Sequence, residues 1–131
     1  GKHDKFPNYP YYLNENYKKY YFELIRQFSV FLLSQPDEKF KYIAFVQVKT
    51  GATGDEEPYK GKPEDNKYSI SNNEWLNFRL EAFSEFKKYF NDDAERKIAL
   101  TFNRVDPEKN PEEYKWIMTK IDPKSGTSFN Q

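Results

Sequence analysis

The sequence contains no cysteine and a single histidine, His3. The first absence excludes a disulfide framework, thiolate catalysis and Cys-ligated zinc. The second argues against a His-rich metal centre and a Ser-His-Asp triad, since His3 lies in a leading tail. Net charge is missing too: 21 Lys plus Arg balance 21 Asp plus Glu. A basic surface for nucleic acid or anionic lipid is therefore not expected. No apolar run approaches the roughly 18 residues of a membrane span. The opening Gly1-Lys2-His3-Asp4 does not read as a signal peptide, as expected of a mature or excised chain. Glycine is scarce, and three of the five glycines (51, 54 and 61) fall within one short segment.

What is abundant is aromatic. Phe, Trp and Tyr make up 19% of the 131 residues, about half of the 37% that are hydrophobic. Charged residues reach 32%, and the mean hydropathy is −1.06. Such a chain builds its core from rings. It also has rings available for flat, hydroxyl-rich ligands, whose apolar C–H faces stack on aromatic surfaces. The plain alternative is a compositional bias toward Lys, Asn, Tyr and Phe.

The length suits one domain, and 1–131 reads as a single α/β segment. Residues 1–14 form an aromatic lead-in punctuated by Pro7 and Pro10. A helix is predicted over 15–34, capped by Asn14, with Tyr17, Tyr20, Tyr21, Leu24, Phe28, Phe31 and Leu32 at helical spacing. Pro36 ends it. Residues 42–49 read as a strand covered on both faces, with Ala44, Val46 and Val48 on one side and Phe45, Gln47 and Lys49 on the other. Residues 50–70 read as a long loop. Ser71-Asn72-Asn73-Glu74 is a capping box opening a second helix. Its buried stripe is Trp75, Phe78, Ala82, Phe83, Phe86, Tyr89 and Phe90.

A second strand is predicted over 97–103. Bulky Ile98, Leu100 and Phe102 should face helices, and Ala99, Thr101 and Asn103 an enclosed interior. A third helix spans about 111–121, and the tail from Pro123 reads as irregular. Strands separated by a full helix are the pattern of parallel β-α-β units. The helix-to-strand links are short, whereas the first strand-to-helix link spans about twenty residues. Loops leaving the C-terminal ends of parallel strands build active sites. This asymmetry points to 50–70 as the functional segment, against the alternative of an idle surface insertion.

Within it, Gly51 and Gly54 permit a sharp exit from the strand, and Asp55-Glu56-Glu57 then precede Tyr59. A carboxylic acid desolvated against aromatic walls has its pKa raised and can act as a general acid near neutral pH. Paired carboxylates are what glycoside hydrolysis uses. The plain alternative is a solvated acidic turn. The carboxylates after Gly54 rule out a P-loop, and the spacing fits neither a Rossmann fingerprint nor an EF-hand, although a different calcium site at Asp55, Glu56 or Glu57 stays open. Gln47, Lys49 and Asn103, at strand ends, are candidate ligand contacts; as a pair of amides and a lysine they also suit a satisfied core or a turn. Trp75 and Trp116 read as core.

The run Ala44-Phe45-Val46-Gln47-Val48, then Gly51 through Gly61, then Ile70-Ser71-Asn72-Asn73-Glu74-Trp75, resembles the middle of a TIM-barrel glycoside hydrolase of the β-galactosidase, agarase and porphyranase types. The likeness covers about 40–105. It implies a central piece of a (β/α)8 barrel that acts on a polysaccharide or oligosaccharide. It makes Glu56 the general acid/base, with Asp55 and Glu57 as rivals and Gln47, Lys49, Tyr59 and Asn103 around the substrate. Asp55-Glu56 stands where that family commonly has Asn-Glu. The resemblance also implies a secreted or periplasmic enzyme without cofactor or metal. A full barrel needs about 250 residues. The chain is therefore expected to work with the remainder of the barrel or a second chain, which would supply the partner carboxylate. Two other readings are a non-catalytic carbohydrate- or protein-binding domain using rings 6–12 as its platform, and a structural interaction module.

Overall fold

The computed structural model describes residues 10–51, 57–59, 62–103 and 105–121, with the backbone of 128–130. Asn14 starts the first helix, α1 (Glu15–Leu33): its side-chain oxygen accepts from the Tyr17 backbone N–H at 3.1 Å. Pro36 then opens a single helical turn, α2 (Asp37–Phe40). The first strand, β1, is only Val46–Val48. A 3₁₀ turn at Asn66–Tyr68 leads to α3 (Asn72–Lys87). The capping box is formed as the sequence predicts: Ser71 Oγ accepts from the Glu74 N–H at 3.1 Å, and Glu74 Oε1 from the Ser71 N–H at 3.2 Å. A π-helical turn, Lys88–Asp92, ends α3. Strand β2 (Leu100–Asn103), helix α4 (Pro111–Lys120) and strand β3 (Ser128–Asn130) follow.

The three strands form one parallel sheet in the order β1-β2-β3. The register pairs Val46 with Leu100, Gln47 with Thr101 and Val48 with Phe102. Val46, Val48, Leu100 and Phe102 therefore share one face. There they join Ile25 of α1, Phe83 and Phe86 of α3, and Ile117 of α4 in the main core. Helix α3 packs against both α1 and α4. The bulky side of 97–103 faces helices as the sequence implied, with Phe83 and Phe102 edge to face at 4.9 Å. The fold is thus a mixed α/β layer with parallel β-α-β connectivity.

Three expectations need correction. The strand expected over 42–49 shrinks to Val46–Val48, and the residues just before it are uncovered: Tyr42 is 79% and Phe45 56% exposed. The physical reason is pairing. Strand β2 offers partners from Leu100 onward, so the chain before Val46 has no described ladder to join. The tail is not wholly irregular, because β3 extends the sheet beside β2, Phe129 pairing with Phe102. On α1 the buried positions are Ile25 and Ser29, flanked by half-buried Tyr17, Tyr21, Phe22, Leu32 and Leu33. Four of the seven residues of the expected stripe are instead exposed: Tyr20, Leu24, Phe28 and Phe31, at 44–74%.

Candidate functional site

Because all three strands are parallel, their C-terminal ends lie along one rim. Two connections leave this rim, one from β1 to α3 and one from β2 to α4. Just past β1, Lys49 is exposed and Thr50 is buried. The Lys49 carbonyl accepts a hydrogen bond from the Tyr21 hydroxyl of α1. Thr50 Oγ1 accepts from Arg79 Nε of α3 at 3.3 Å. Arg79 Nη1 donates to Glu113 Oε2, in the first turn of α4, at 2.9 Å. Arg79 also lies over the Phe83 ring, 5.4 Å from its centroid.

Asp55 and Glu56 lie outside the described residues. Glu57 is exposed and borders a cavity of about 400 Å³, lined also by Tyr59, Lys62, Asn66, Ser69 and Ile70. A volume of that size falls within the range of small-ligand pockets. Tyr59 is the aromatic side of this cavity. Burial, with Tyr11 nearby, pushes its phenol pKa up, so the hydroxyl keeps its proton through neutral pH. Its ring rests on Tyr12, with centroids 5.8 Å apart.

Tyr12 in turn sits at the centre of a second core, 5.1 Å from Trp75 and 5.6 Å from Phe78, with Trp75 stacked on Phe78 at 5.3 Å. These rings satisfy one another. Trp75 is core, as the sequence predicts. The lead-in is not a free platform where it is described: Tyr12 is 4% exposed, and Tyr11 leans edge-on against Tyr68 at 5.4 Å.

The remaining candidates gather elsewhere. Gln47, Thr101 and Asn103 lie on the face of the sheet turned away from the helices, Gln47 beside Thr101 in the ladder and Thr101 buried, while Lys49 follows β1 and is exposed. None of them lines the Glu57–Tyr59 cavity. The Thr101 hydroxyl is buried without a hydrogen-bond partner among the described residues. The described residues among those the sequence predicts thus form two groups, Glu57 and Tyr59 after β1 and Gln47 and Asn103 on the helix-free sheet face, with Lys49 exposed at the end of β1.

Arg79, Glu113 and Thr50 were not anticipated. A signal existed for the first: Arg79 falls on the apolar stripe of α3, one residue past Phe78 and three before Ala82. A charge inside an apolar stripe calls for a buried partner. Among the described residues no cluster of three or more His, Asp or Glu is placed to hold a metal ion, and no helix is long and apolar enough to cross a membrane. No family model, curated protein or solved structure matches this chain.

Proposed function

We propose that the chain is a sector of a (β/α)8 glycoside hydrolase that cleaves a polysaccharide or oligosaccharide, with Glu56, or its neighbours Asp55 or Glu57, as general acid/base. The observation that carries this reading is the one-sided sheet. Parallel sheets are almost always covered on both faces. Here the described helices take one face, and the other carries polar side chains, Thr101 buried at 6% exposure and Gln47 and Asn103 half-buried, none of them part of the apolar core. A parallel sheet keeps such a face without helices when it curls into a barrel, where that face becomes the lumen and its polar end the substrate site.

Two further observations agree. Tyr21 joins α1 to the end of β1, so α1 lies on the β1 side of the layer. Its outward stripe of Tyr20, Leu24, Phe28 and Phe31 accompanies β1, an edge strand among the described residues. A neighbouring βα unit would cover the stripe and pair the edge together. The connection after β1 also leaves from the rim where barrels place chemistry, and farther along it Glu57 and Tyr59 border a cavity. In this proposal the catalytic partner carboxylate comes from another strand. Its distance decides the stereochemistry, about 5–5.5 Å for retention and about 6.5–9.5 Å for inversion. Polysaccharide is met outside the cytoplasm, so the site of action is extracellular or periplasmic.

The test is reducing-end release by the complete polypeptide from agarose, porphyran and β-galactan, with Asp55→Asn, Glu56→Gln and Glu57→Gln compared one by one. Loss of a general acid lowers turnover by about 10²–10⁴-fold. Glu56→Gln is expected to do so while sugar binding is retained. No hydrolysis by the parent protein, or full activity in all three variants, refutes the proposal.

A further inference from the structure

The cavity bordered by Glu57 and Tyr59 has a firm apolar side. Tyr59 and Ile70 form it: both are half-buried and pack on the Tyr12–Trp75–Phe78 cluster. Another wall follows the turn Asn66–Tyr68, which is tied down locally. Asp65 accepts from the Lys67 backbone N–H at 2.9 Å, the Ser69 N–H donates to the Asn66 carbonyl at 3.0 Å, and the Tyr68 ring meets Tyr11 edge-on. Walls held in this way do not have to be ordered by a ligand, which lowers the cost of binding.

Two charges of opposite sign line the same space, the Glu57 carboxylate and the Lys62 ammonium, and both residues are exposed. They do not pair with each other, and neither has a hydrogen-bond or ion-pair partner among the described residues. Nearby Lys67 does have one, Asp65 at 3.7 Å. Opposite charges that border one cavity and stay apart set up a field across it. A neutral polyol answers only their hydrogen-bonding capacity. A molecule with an ammonium and a carboxylate on neighbouring atoms answers both charges at once. The volume, about 400 Å³, lies toward the small end of ligand pockets and suits one small molecule better than a polymer. We infer that this cavity binds a free α-amino acid with an apolar side chain. Its carboxylate turns to Lys62, its ammonium to Glu57 and its side chain to Tyr59 and Ile70, with Asn66 and Ser69 at hand for hydrogen bonds. The inference goes beyond the hydrolase reading and does not depend on it.

The probes are L-leucine and L-phenylalanine, titrated into the full chain while the backbone amides between 57 and 70 are followed by NMR. Small molecules on an open site gain little per atom, so half-saturation is expected at about 1–10 mM. Two analogues of L-leucine carry one charge each: 3-methylbutylamine lacks the carboxylate and 4-methylpentanoate lacks the ammonium. Each should bind about fivefold more weakly, the worth of one partly exposed charge contact. Glu57→Gln and Lys62→Met should weaken L-leucine by a similar factor, with an unchanged urea midpoint because both positions are exposed. No saturable shifts up to ~50 mM, well above the expected range, overturns the inference. So does equal binding of the singly charged analogues, or galactose binding as tightly as L-leucine. The analogue series needs no variant, so it decides the matter even if a substitution disturbs the fold. Hydrolysis without amino-acid binding sinks this inference alone. Amino-acid binding by a chain that hydrolyses nothing supports it and sinks the hydrolase reading alone.

Discussion

Two phenylalanines at the sheet should answer very differently to the same truncation. Phe102 points into the helices and is 1% exposed, against Phe83 at 4.9 Å; Phe45, just before β1, is 56% exposed. Phe102→Ala removes a fully buried ring and should cost about 3–5 kcal/mol. For Phe45 less than half of the side chain is covered. At ~25 cal/mol per Å² and a ring side chain of ~150–250 Å², the loss is about 2 kcal/mol and at most about 3, and less against a compact denatured state. In the 131-residue chain the two variants should therefore differ by about 2 kcal/mol at mid-range values. That difference corresponds to roughly 6–12 °C in unfolding midpoint for a domain of this size. Urea titration followed by tryptophan fluorescence measures it well, because Trp116 contacts Phe83 at 5.7 Å and so reports on this core. Equal losses for the two variants, within about 0.5 kcal/mol, would refute this contrast in burial. The complement is Phe45→Ala in the complete polypeptide. If a neighbouring unit covers Phe45 there, its cost should climb toward that of Phe102→Ala.

Three further outcomes follow from local geometry. Arg96 donates to the Leu33 and Gln35 carbonyls at 2.6 and 2.8 Å and to Asp37 at 2.7 Å, and it lies 3.7 Å over Phe40. Arg96→Ala should lower stability by about 1–3 kcal/mol in urea unfolding, by freeing the end of α1 from α2. Ser71→Ala breaks the capping box of α3 and should cost about 1 kcal/mol by the same assay, whereas Ser71→Asp should be nearly neutral. The Glu23 carboxyl, hydrogen-bonded to Arg26 and also to Gln27, has its pKa lowered from 4.5 to about 2. A lowered native pKa means a contribution present above the unfolded value and lost as pH falls from 4.5 through about 2. A carboxyl titration by NMR should place the midpoint near 2, and Arg26→Ala should return it most of the way to 4.5.

Much of the fold was legible because local chemistry and tertiary demand agree. Asn14, Ser71 and Glu74 each satisfy a backbone N–H that the helix start leaves open, so both helix starts could be read directly. Alternation along 98–103 set the bulky face of β2 correctly, since that strand is deeply buried on its helix side. Strand length was not legible. Tyr42 through Phe45 are strand-prone residues, yet length is fixed by what β2 can pair with. Strand β3 has no apolar alternation and exists through its register with β2. For α1, apolar residues occupy more than half the circumference, so periodicity could not choose which flank packs inward. The site was legible as a segment more than as a set of residues. The glycines and carboxylates mark the loop after β1, while Gln47 and Asn103 share the helix-free face because ladder register and strand alternation put them there. Arg79 shows the opposite case: the odd charge in an apolar stripe was visible, but its partners, 29 and 34 residues away, were not.

A crystal structure of the complete polypeptide with an oligosaccharide bound tests the central proposal most directly. The proposal predicts sugar density at the C-terminal ends of β1 and β2, with one carboxyl of Asp55, Glu56 or Glu57 in hydrogen-bonding reach of the glycosidic oxygen. Sugar bound at another face, or a chain whose open sheet face meets no further strands, would contradict it.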